Sequence, residues 1–260
     1  MQKNELKLAI IQTELVWENI DKNLENFSIK INSISQNFDL IVLPEMFTTG
    51  FTMNVKNFSE CSEGRTHKWM MDLAIKNNCA ITGSIIIKEK DKYYNRLIFC
   101  KPDGSVHFYN KRHLFRMGDE NKFYEPGEKK IIIEYKGWKI CPLICYDLRF
   151  PVWSRNIEGY DMLIYVANWP EPRKEVWKTL LKARAIENQV YTVGVNRIGK
   201  DGRGISYSGD SSVINPTGKI ISSLKPYIDG IDIISISLGE LNEYRETYPV
   251  ALDADKFELK

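Results

Sequence analysis

The segment DLIVLPE, residues 39–45, decides the fold class of this sequence. Its residues 40–43 are all apolar, and the run ends at Pro44 and Glu45. A strand that is apolar at consecutive positions suits a sheet that is covered on both sides. The segments KLAIIQT (7–13) and MLIYVA (162–167) have the same character. Together they predict buried strands in a sheet with a further layer of structure on each face.

Helical periodicity alternates with these strands. Apolar residues recur at steps of four and three from Ile20 to Ile34, which places them on one face of a helix. A second helix is predicted around residues 69–75 and a third at 175–189. Further strands are predicted at 80–87, 93–109 (a pair turned at 102–104), 131–135, 138–145, 191–195, 212–221 (turned at 215–218) and 231–238. The alternation predicts the α/β class, and the hairpins that interrupt it predict mixed sheets.

Length and composition indicate one folded domain, residues 1–260. A chain of 260 residues could form one large domain or two small ones, but no repeat, low-complexity segment or linker divides it. Its 43% apolar and 27% charged residues exclude a disordered or fibrous protein. The net charge is +2 and no basic stripe stands out, which argues against a nucleic-acid partner.

Three further features bear on location and on metals. The longest apolar run, 162–167, is far shorter than the ~20 residues of a membrane helix. The first ten residues, MQKNELKLAI, contain no apolar signal core and no small-residue cleavage site. We therefore expect a cytoplasmic protein with no membrane partner. The five cysteines and three histidines match no zinc pattern, so we expect thiols and no metal site.

Four polar residues stand at or just after predicted strand ends, where α/β folds collect their chemistry. They are Glu45, Lys111, Glu120 and Cys145. Each has an ordinary alternative: the glutamates could be solvated loop carboxylates, the lysine part of a surface cluster, and the cysteine a core residue. Only their combination is informative.

The combination is a set of groups for nucleophilic catalysis. A thiol attacks only as the thiolate, and free cysteine has a pKa near 8.5, so it needs a base. A carboxylate can remove the proton as attack proceeds. An ammonium group can stabilise the thiolate and the oxyanion formed on a carbonyl. With three histidines in the chain, a Cys–His pair stays open as a less favoured alternative.

The segments that carry these residues resemble the three signature segments of the nitrilase (carbon–nitrogen hydrolase) superfamily. They are LPE (43–45), KRHLF (111–115) and ICYDLRFP (144–151), in the order of that family. The resemblance is strongest to the omega-amidase branch, of the bacterial 2-oxoglutaramate amidase type. It rests on KRHLFRMGDE (111–120), YVANWP (165–170), ARAIENQ (183–189), YSGDS (207–211) and VINPTG (213–218).

This resemblance implies a four-layer α-β-β-α sandwich with two mixed sheets, assembled as a homodimer. It implies that Glu45 is the general base, Lys111 the oxyanion-stabilising cation and Cys145 the nucleophile. The second glutamate of related enzymes lies about eight residues after the lysine. That offset lands on Asp119, but Glu120 matches the Met-x-Asp-Glu pattern of the branch and is assigned the role. The resemblance implies no metal and no organic cofactor.

The expected reaction is hydrolysis of the terminal amide of a small 2-oxo dicarboxylic monoamide, 2-oxoglutaramate or 2-oxosuccinamate, through a thioester on Cys145. The backbone N–H of Tyr146 is expected to share the oxyanion with Lys111. One alternative is another hydrolase of the superfamily, acting on a nitrile or an N-carbamoyl compound. A more remote alternative is a non-catalytic binding protein on the same fold.

The free carboxylate of such a substrate needs a second cation, because Lys111 is taken by the oxyanion. Arginine binds carboxylates bidentately, and Arg149 and Arg173 both follow strand ends. We favour Arg173, since Arg149 is close enough to the nucleophile to hold its loop. Asn168 and Trp169 are expected to line the same pocket. Either arginine could instead be structural or simply solvated.

Overall fold

The structure is a computed structural model and describes residues 5–258. Its strands are β1 (Glu5–Gln12), β2 (Leu40–Val42), β3 (Ala80–Glu89), β4 (Lys92–Cys100), β5 (Val106–Asn110), β6 (Ile133–Tyr135), β7 (Trp138–Ile144), β8 (Met162–Ala167), β9 (Tyr191–Asn196), β10 (Ile198–Lys200), β11 (Ser206–Ser208), β12 (Ser212–Ile214) and β13 (Gly230–Ser237). Its α-helices are α1 (Ile20–Asn32), α2 (Val55–Phe58), α3 (Arg65–Asn77), α4 (Glu120–Phe123), α5 (Pro151–Ser154), α6 (Lys174–Asn188) and α7 (Leu238–Thr247).

The strands form two larger sheets and a short hairpin. The first sheet has the order β13-β1-β2-β3-β4-β5, with β1, β2 and β3 parallel and the other pairs antiparallel. The second has the order β12-β9-β8-β7-β6, with β7, β8 and β9 parallel and both edge strands antiparallel. Strands β10 and β11 pair separately. Both large sheets are mixed, as predicted.

The two sheets pack face to face between layers of helix. Alternation along β1 shows this directly: Leu6, Leu8 and Ile10 enter the core that both sheets share, whereas Ala9 and Ile11 face a second core that contains α1 and α3. Helix α6 covers the outer face of the second sheet. The order of layers is therefore α1 and α3, first sheet, second sheet, α6, and the predicted four-layer sandwich is confirmed.

Close packing of α6 depends on a glycine in β9. A side-chain carbon added at Gly194 would lie 2.4 Å from a methyl carbon of Leu181 and 2.8 Å from the Trp177 ring. Both distances are shorter than van der Waals contact, so a larger residue would push the helix off the sheet. Within residues 5–258, no helix is long and apolar enough to cross a membrane.

Two strand predictions are wrong in extent. The strand predicted over 39–45 is limited to Leu40–Val42; Leu43 still donates a backbone hydrogen bond to Thr82, 2.8 Å, but Pro44 has no N–H to continue the ladder. In the segment predicted as 212–221, only Ser212–Ile214 is a strand. There the Asn215 side chain accepts the backbone N–H groups of Thr217 and Lys219, which turns the chain.

Candidate active site

Segments that leave one end of both sheets meet in the interior. Glu45 follows β2, Lys111 follows β5 directly, Cys145 follows β7 and Asn168 follows β8. Parallel strands bring their carboxyl ends to one edge of a sheet, and the face-to-face packing of the sheets brings the two edges together. The predicted site residues are thereby collected from four distant parts of the chain.

Lys111 lies between two buried glutamates. Its Nζ donates to Glu45 Oε1 at 2.8 Å and to Glu120 at 3.0 Å (Oε2) and 3.1 Å (Oε1). All three side chains are fully buried. The cluster of one ammonium and two carboxylates carries a formal charge of −1. Charges are stable in a protein interior only when they are paired and hydrogen-bonded.

The carboxylate oxygens of both glutamates accept further hydrogen bonds. Asn95 Nδ2 donates to Glu45 Oε1 at 2.8 Å and to Glu120 Oε1 at 3.2 Å. The Asn168 backbone N–H donates to Glu45 Oε2 at 2.8 Å, and the Phe115 N–H to Glu120 Oε2 at 2.6 Å. Asn95 was missed from the sequence, because a single Asn inside an antiparallel strand carries no local signal of function.

Burial and charge set the protonation states of this cluster. Burial raises the pKa of Glu120 above its usual value, and the Lys111 ammonium partly offsets that rise. Burial lowers the pKa of Lys111, but the charges of Glu120 and Glu45 outweigh it and raise the pKa overall. Burial, followed by the charge of Glu45, raises the pKa of Cys145 well above that of a free thiol. Cys145 is therefore a thiol at rest, close enough to Glu45 for the charge of that carboxylate to act on it.

The backbone of Cys145 is strained. Its φ is +42°, in the left-handed region, at the point where β7 passes into the 3₁₀ helix Cys145–Arg149. Such a conformation costs a non-glycine residue about 1–3 kcal/mol and persists only where surrounding contacts hold it. It places the thiol at the end of the strand, with only 8% of the residue exposed.

A cavity of about 210 Å³ opens onto the thiol. Lys111 and Cys145 lie in its wall, and the two glutamates contact Lys111 from behind. The structure places every residue predicted to bind substrate in this wall: Tyr146, Arg149, Asn168, Trp169 and Arg173. Within the described residues, none of the three histidines lines it, and His113 is hydrogen-bonded to Asp147. This arrangement favours Glu45 over a histidine as the base.

Neither Arg149 nor Arg173 forms an ion pair with a carboxylate of residues 5–258. The guanidinium of Arg149 lies 5.7 Å from the centre of the Trp169 ring, and that of Arg173 lies 5.1 Å from the Phe115 ring. The indole nitrogen of Trp169 donates to the Arg173 carbonyl at 2.8 Å. Arg149 and Arg173, each lying over an aromatic ring in the wall of one small cavity, make it attractive to an anion.

The cavity has walls that the sequence did not reveal. Phe51 and Phe115 contribute apolar surface, and Arg203 and Tyr207 come from the β10–β11 hairpin. Arg203 was missed because this hairpin was not predicted: its strands are only three residues long and its Gly-rich turn resembles an ordinary loop. Among residues 5–258, no group of three or more His, Cys, Asp or Glu side chains is placed to hold a metal ion.

Comparison with known proteins identifies the family. The carbon-nitrogen hydrolase family matches residues 7–246, more than nine-tenths of the chain. The chain belongs to that family. The predicted superfamily, fold class and hydrolase class are thereby confirmed.

Three relatives show how similar the chain is to characterised members of the family. It is 47% identical to the omega-amidase YafV of Escherichia coli K12 over 98% of both chains. It is 32% identical to the 2-oxoglutaramate amidase of Bacillus subtilis, over 96% of this chain and 97% of the relative. A Xanthomonas campestris CN-hydrolase superfamily protein, solved with an arsenic adduct in its active site, superposes with a TM-score of 0.96 at 38% identity. That match covers 98% of this chain and 99% of the other.

Proposed function

We propose that this carbon–nitrogen hydrolase is an omega-amidase. It hydrolyses the terminal amide of small 2-oxo dicarboxylic monoamides, 2-oxoglutaramate or 2-oxosuccinamate, to the 2-oxo acid and ammonia. The observation that carries the proposal is the buried Glu45–Lys111–Glu120 cluster behind a thiol, in a small cavity with two unpaired arginines. The similarity to YafV and to the Bacillus amidase supports it.

The first step is attack of Cys145 on the amide carbonyl. Because the resting thiol has a raised pKa, the proton must leave as the C–S bond forms rather than before. Glu45, whose charge acts on the thiol, accepts that proton. The negative charge then moves to the carbonyl oxygen of the tetrahedral intermediate.

The Lys111 ammonium and the Tyr146 backbone N–H stabilise this oxyanion. Lys111 is held between two carboxylates, so its charge is in place before the reaction begins and needs no reorganisation. Loss of one oxyanion donor typically costs about 2.7–4 kcal/mol in the transition state. Glu120 acts on the reaction by holding Lys111.

Collapse of the intermediate breaks the C–N bond. Glu45 gives its proton to the leaving nitrogen, which departs as ammonia and leaves a thioester on Cys145. A water molecule then enters, Glu45 takes its proton, and the thioester is hydrolysed to the acid and the free thiol. Each proton that Glu45 accepts is returned within the cycle, so no cofactor takes part.

The substrate carboxylate is assigned to Arg173, with Arg149 as the second cation of the pocket. Trp169 forms the wall between them, because its ring lies against the Arg149 guanidinium and its nitrogen holds the Arg173 carbonyl. Asn168 completes the wall beside Glu45; its Nδ2 donates to the Glu45 carbonyl at 2.5 Å.

A substrate panel tests the proposed reaction. The protein is incubated with 2-oxoglutaramate, 2-oxosuccinamate, an uncharged aliphatic amide, a nitrile and an N-carbamoyl amino acid, and ammonia, keto acid and carbon dioxide are measured. We expect ammonia and keto acid in equal amounts from the 2-oxo amides. Faster turnover of the nitrile, or of the carbamoyl compound with release of carbon dioxide, would replace the proposal by the corresponding alternative. No turnover of any substrate would favour the binding protein.

We also infer a cytoplasmic homodimer with no nucleic-acid or membrane partner. Three apolar side chains in or near the C-terminal segment are largely exposed: Leu252 is 85% exposed, Val152 51% and Val250 49%. Val152 and Val250 line one groove, in which a second copy of the chain would bury them. Light scattering after gel filtration should give the dimer mass, and Leu252→Glu should shift it to the monomer. A monomer in the unaltered protein would contradict the inference.

A further inference from the structure

A buried carboxylate two residues after Cys145 is not part of the cavity wall. Asp147 is completely buried and accepts four hydrogen bonds. Its Oδ1 accepts the His113 backbone N–H at 2.9 Å and the His113 Nδ1 at 2.8 Å. Its Oδ2 accepts the Tyr109 hydroxyl at 2.7 Å and the Ile144 backbone N–H at 3.0 Å. The carboxylate is therefore fully occupied by the protein itself.

The four donors flank the two groups that meet the substrate carbonyl. Ile144 directly precedes Cys145, while Tyr109 and His113 lie two residues to either side of Lys111. One carboxylate thus joins the segment that carries the nucleophile to the segment that carries the cation. Because bonds from both segments converge on a single rigid group, a shift of either segment would break at least one of them.

Packing of the His113 ring on a neighbouring ring fixes the direction of its hydrogen bond to Asp147. The imidazole stacks on Phe150 with ring centres 3.8 Å apart and planes 7° from parallel. A carboxylate only accepts, so Nδ1 carries a hydrogen in this contact. Phe150 caps the 3₁₀ helix that starts at Cys145, so the stack is a second link between the two segments.

We propose that Asp147 and His113 are a positioning pair for the nucleophile. Their bond holds the Cys145 turn in its left-handed conformation and at the correct distance from Lys111. Neither residue lines the cavity, so the pair acts on the reaction through Cys145 and Lys111. The inference rests on the proposed function only for its kinetic readout.

Two variants of His113 separate the hydrogen bond from the ring stack. His113→Phe keeps an aromatic ring on Phe150 and removes the donor. His113→Asn removes the ring and keeps an N–H donor near the position of Nδ1. We expect His113→Phe to lower kcat on 2-oxoglutaramate by about 10- to 100-fold, the effect of a small misplacement of reacting groups. KM should stay within about two-fold of the unaltered protein, because the cations of the pocket are untouched. His113→Asn should stay within about three-fold in both constants, since it preserves the hydrogen bond.

A second readout does not need the proposed substrate. The rate of alkylation of Cys145 by iodoacetamide is followed by peptide mass spectrometry, with the exposed Cys61 as the reference thiol in the same molecule. We expect the ratio of Cys145 to Cys61 labelling to fall in His113→Phe and to be retained in His113→Asn. Thermal unfolding verifies that both variants are folded.

The outcomes are distinct. Unchanged kcat and labelling ratio in His113→Phe would overturn the proposal. Equal losses in both variants would also overturn it, because His113→Asn keeps the hydrogen bond and should then keep the activity. A loss in His113→Asn alone would overturn it too, because the ring stack and not the hydrogen bond would then be responsible. If 2-oxoglutaramate is not turned over even by the unaltered protein, the proposed function fails, while the labelling ratio still decides whether the pair positions the thiol.

Discussion

Replacement of Lys111 by methionine tests the electrostatics of the buried cluster. The change keeps the length of the side chain and removes its charge, which leaves Glu45 and Glu120 buried without their cation. Breaking a buried ion pair by removing one partner costs about 3–5 kcal/mol. We therefore expect Lys111→Met to lower the free energy of unfolding by about that amount at pH 7 and to abolish measurable turnover.

The loss of stability in Lys111→Met should depend on pH in a defined direction. The Lys111 charge is the largest influence that lowers the pKa of Glu120, so its removal lets burial and the charge of Glu45 raise that pKa further. A carboxyl whose folded pKa is above its unfolded value of about 4.3 stabilises the fold below that value. This stabilisation disappears as the pH rises through the folded pKa. Between the folded pKa of Glu120 in the unaltered protein and the higher one in the variant, the variant should lose about 1.4 kcal/mol of stability per pH unit relative to the unaltered protein.

Urea unfolding at pH 5, 6 and 7 measures both effects. Lys122→Met is the matched control: its partner Asp119 lies 2.9 Å away in the same loop, but both side chains are more than half exposed. An exposed pair contributes about 0–1 kcal/mol, so this control should change little at any pH. The double variant Lys111→Met, Glu120→Gln removes one carboxylate and should regain part of the lost stability. If Lys111→Met has the stability and pH dependence of the control, the cluster is not the buried charged site described above.

Four other substitutions and one control test the assigned roles. Cys145→Ala should abolish ammonia release from 2-oxoglutaramate and leave the thermal unfolding temperature nearly unchanged. Cys141→Ala should remain active, because Cys141 lies about 13 Å back along β7. The reverse pattern would show that Cys141 and not Cys145 is the nucleophile. Glu45→Gln should lower kcat by about 10²–10⁴-fold or more, since it keeps the shape of the side chain and removes the proton acceptor. A stopped-flow rate close to that of the unaltered protein would exclude Glu45 as the base. Glu120→Gln should lower kcat as well, and unchanged kinetics would remove it from the site. Arg173→Met should raise KM for 2-oxoglutaramate strongly and for an uncharged amide much less; equal effects on the two substrates would show that Arg173 does not bind the carboxylate.

Local patterns along the chain were sufficient to predict the main strands and helices of the fold. The apolar runs in β1, β2 and β8 predicted strands buried on both faces, and periodicity from Ile20 to Ile34 predicted the helix that covers β1 and β2. These signals are strong because burial on a face imposes a fixed repeat on neighbouring residues. The β10–β11 hairpin imposes no such repeat on three-residue strands, so the wall that carries Arg203 was not predicted.

The sequence by itself determined which chemical groups are available: a cysteine, a lysine and two glutamates at strand ends, in segments that resemble one hydrolase superfamily. Only the tertiary structure decided what these groups contact. Lys111 meets Glu45 across 66 positions of the chain, and Glu45 meets Asn168 across 123. Asn95 joins the same cluster without any local signal. Contacts of this kind depend on how two sheets pack against each other. The apolar repeat of a strand is compatible with any apolar partner, so neighbouring residues do not indicate which strands or segments will meet.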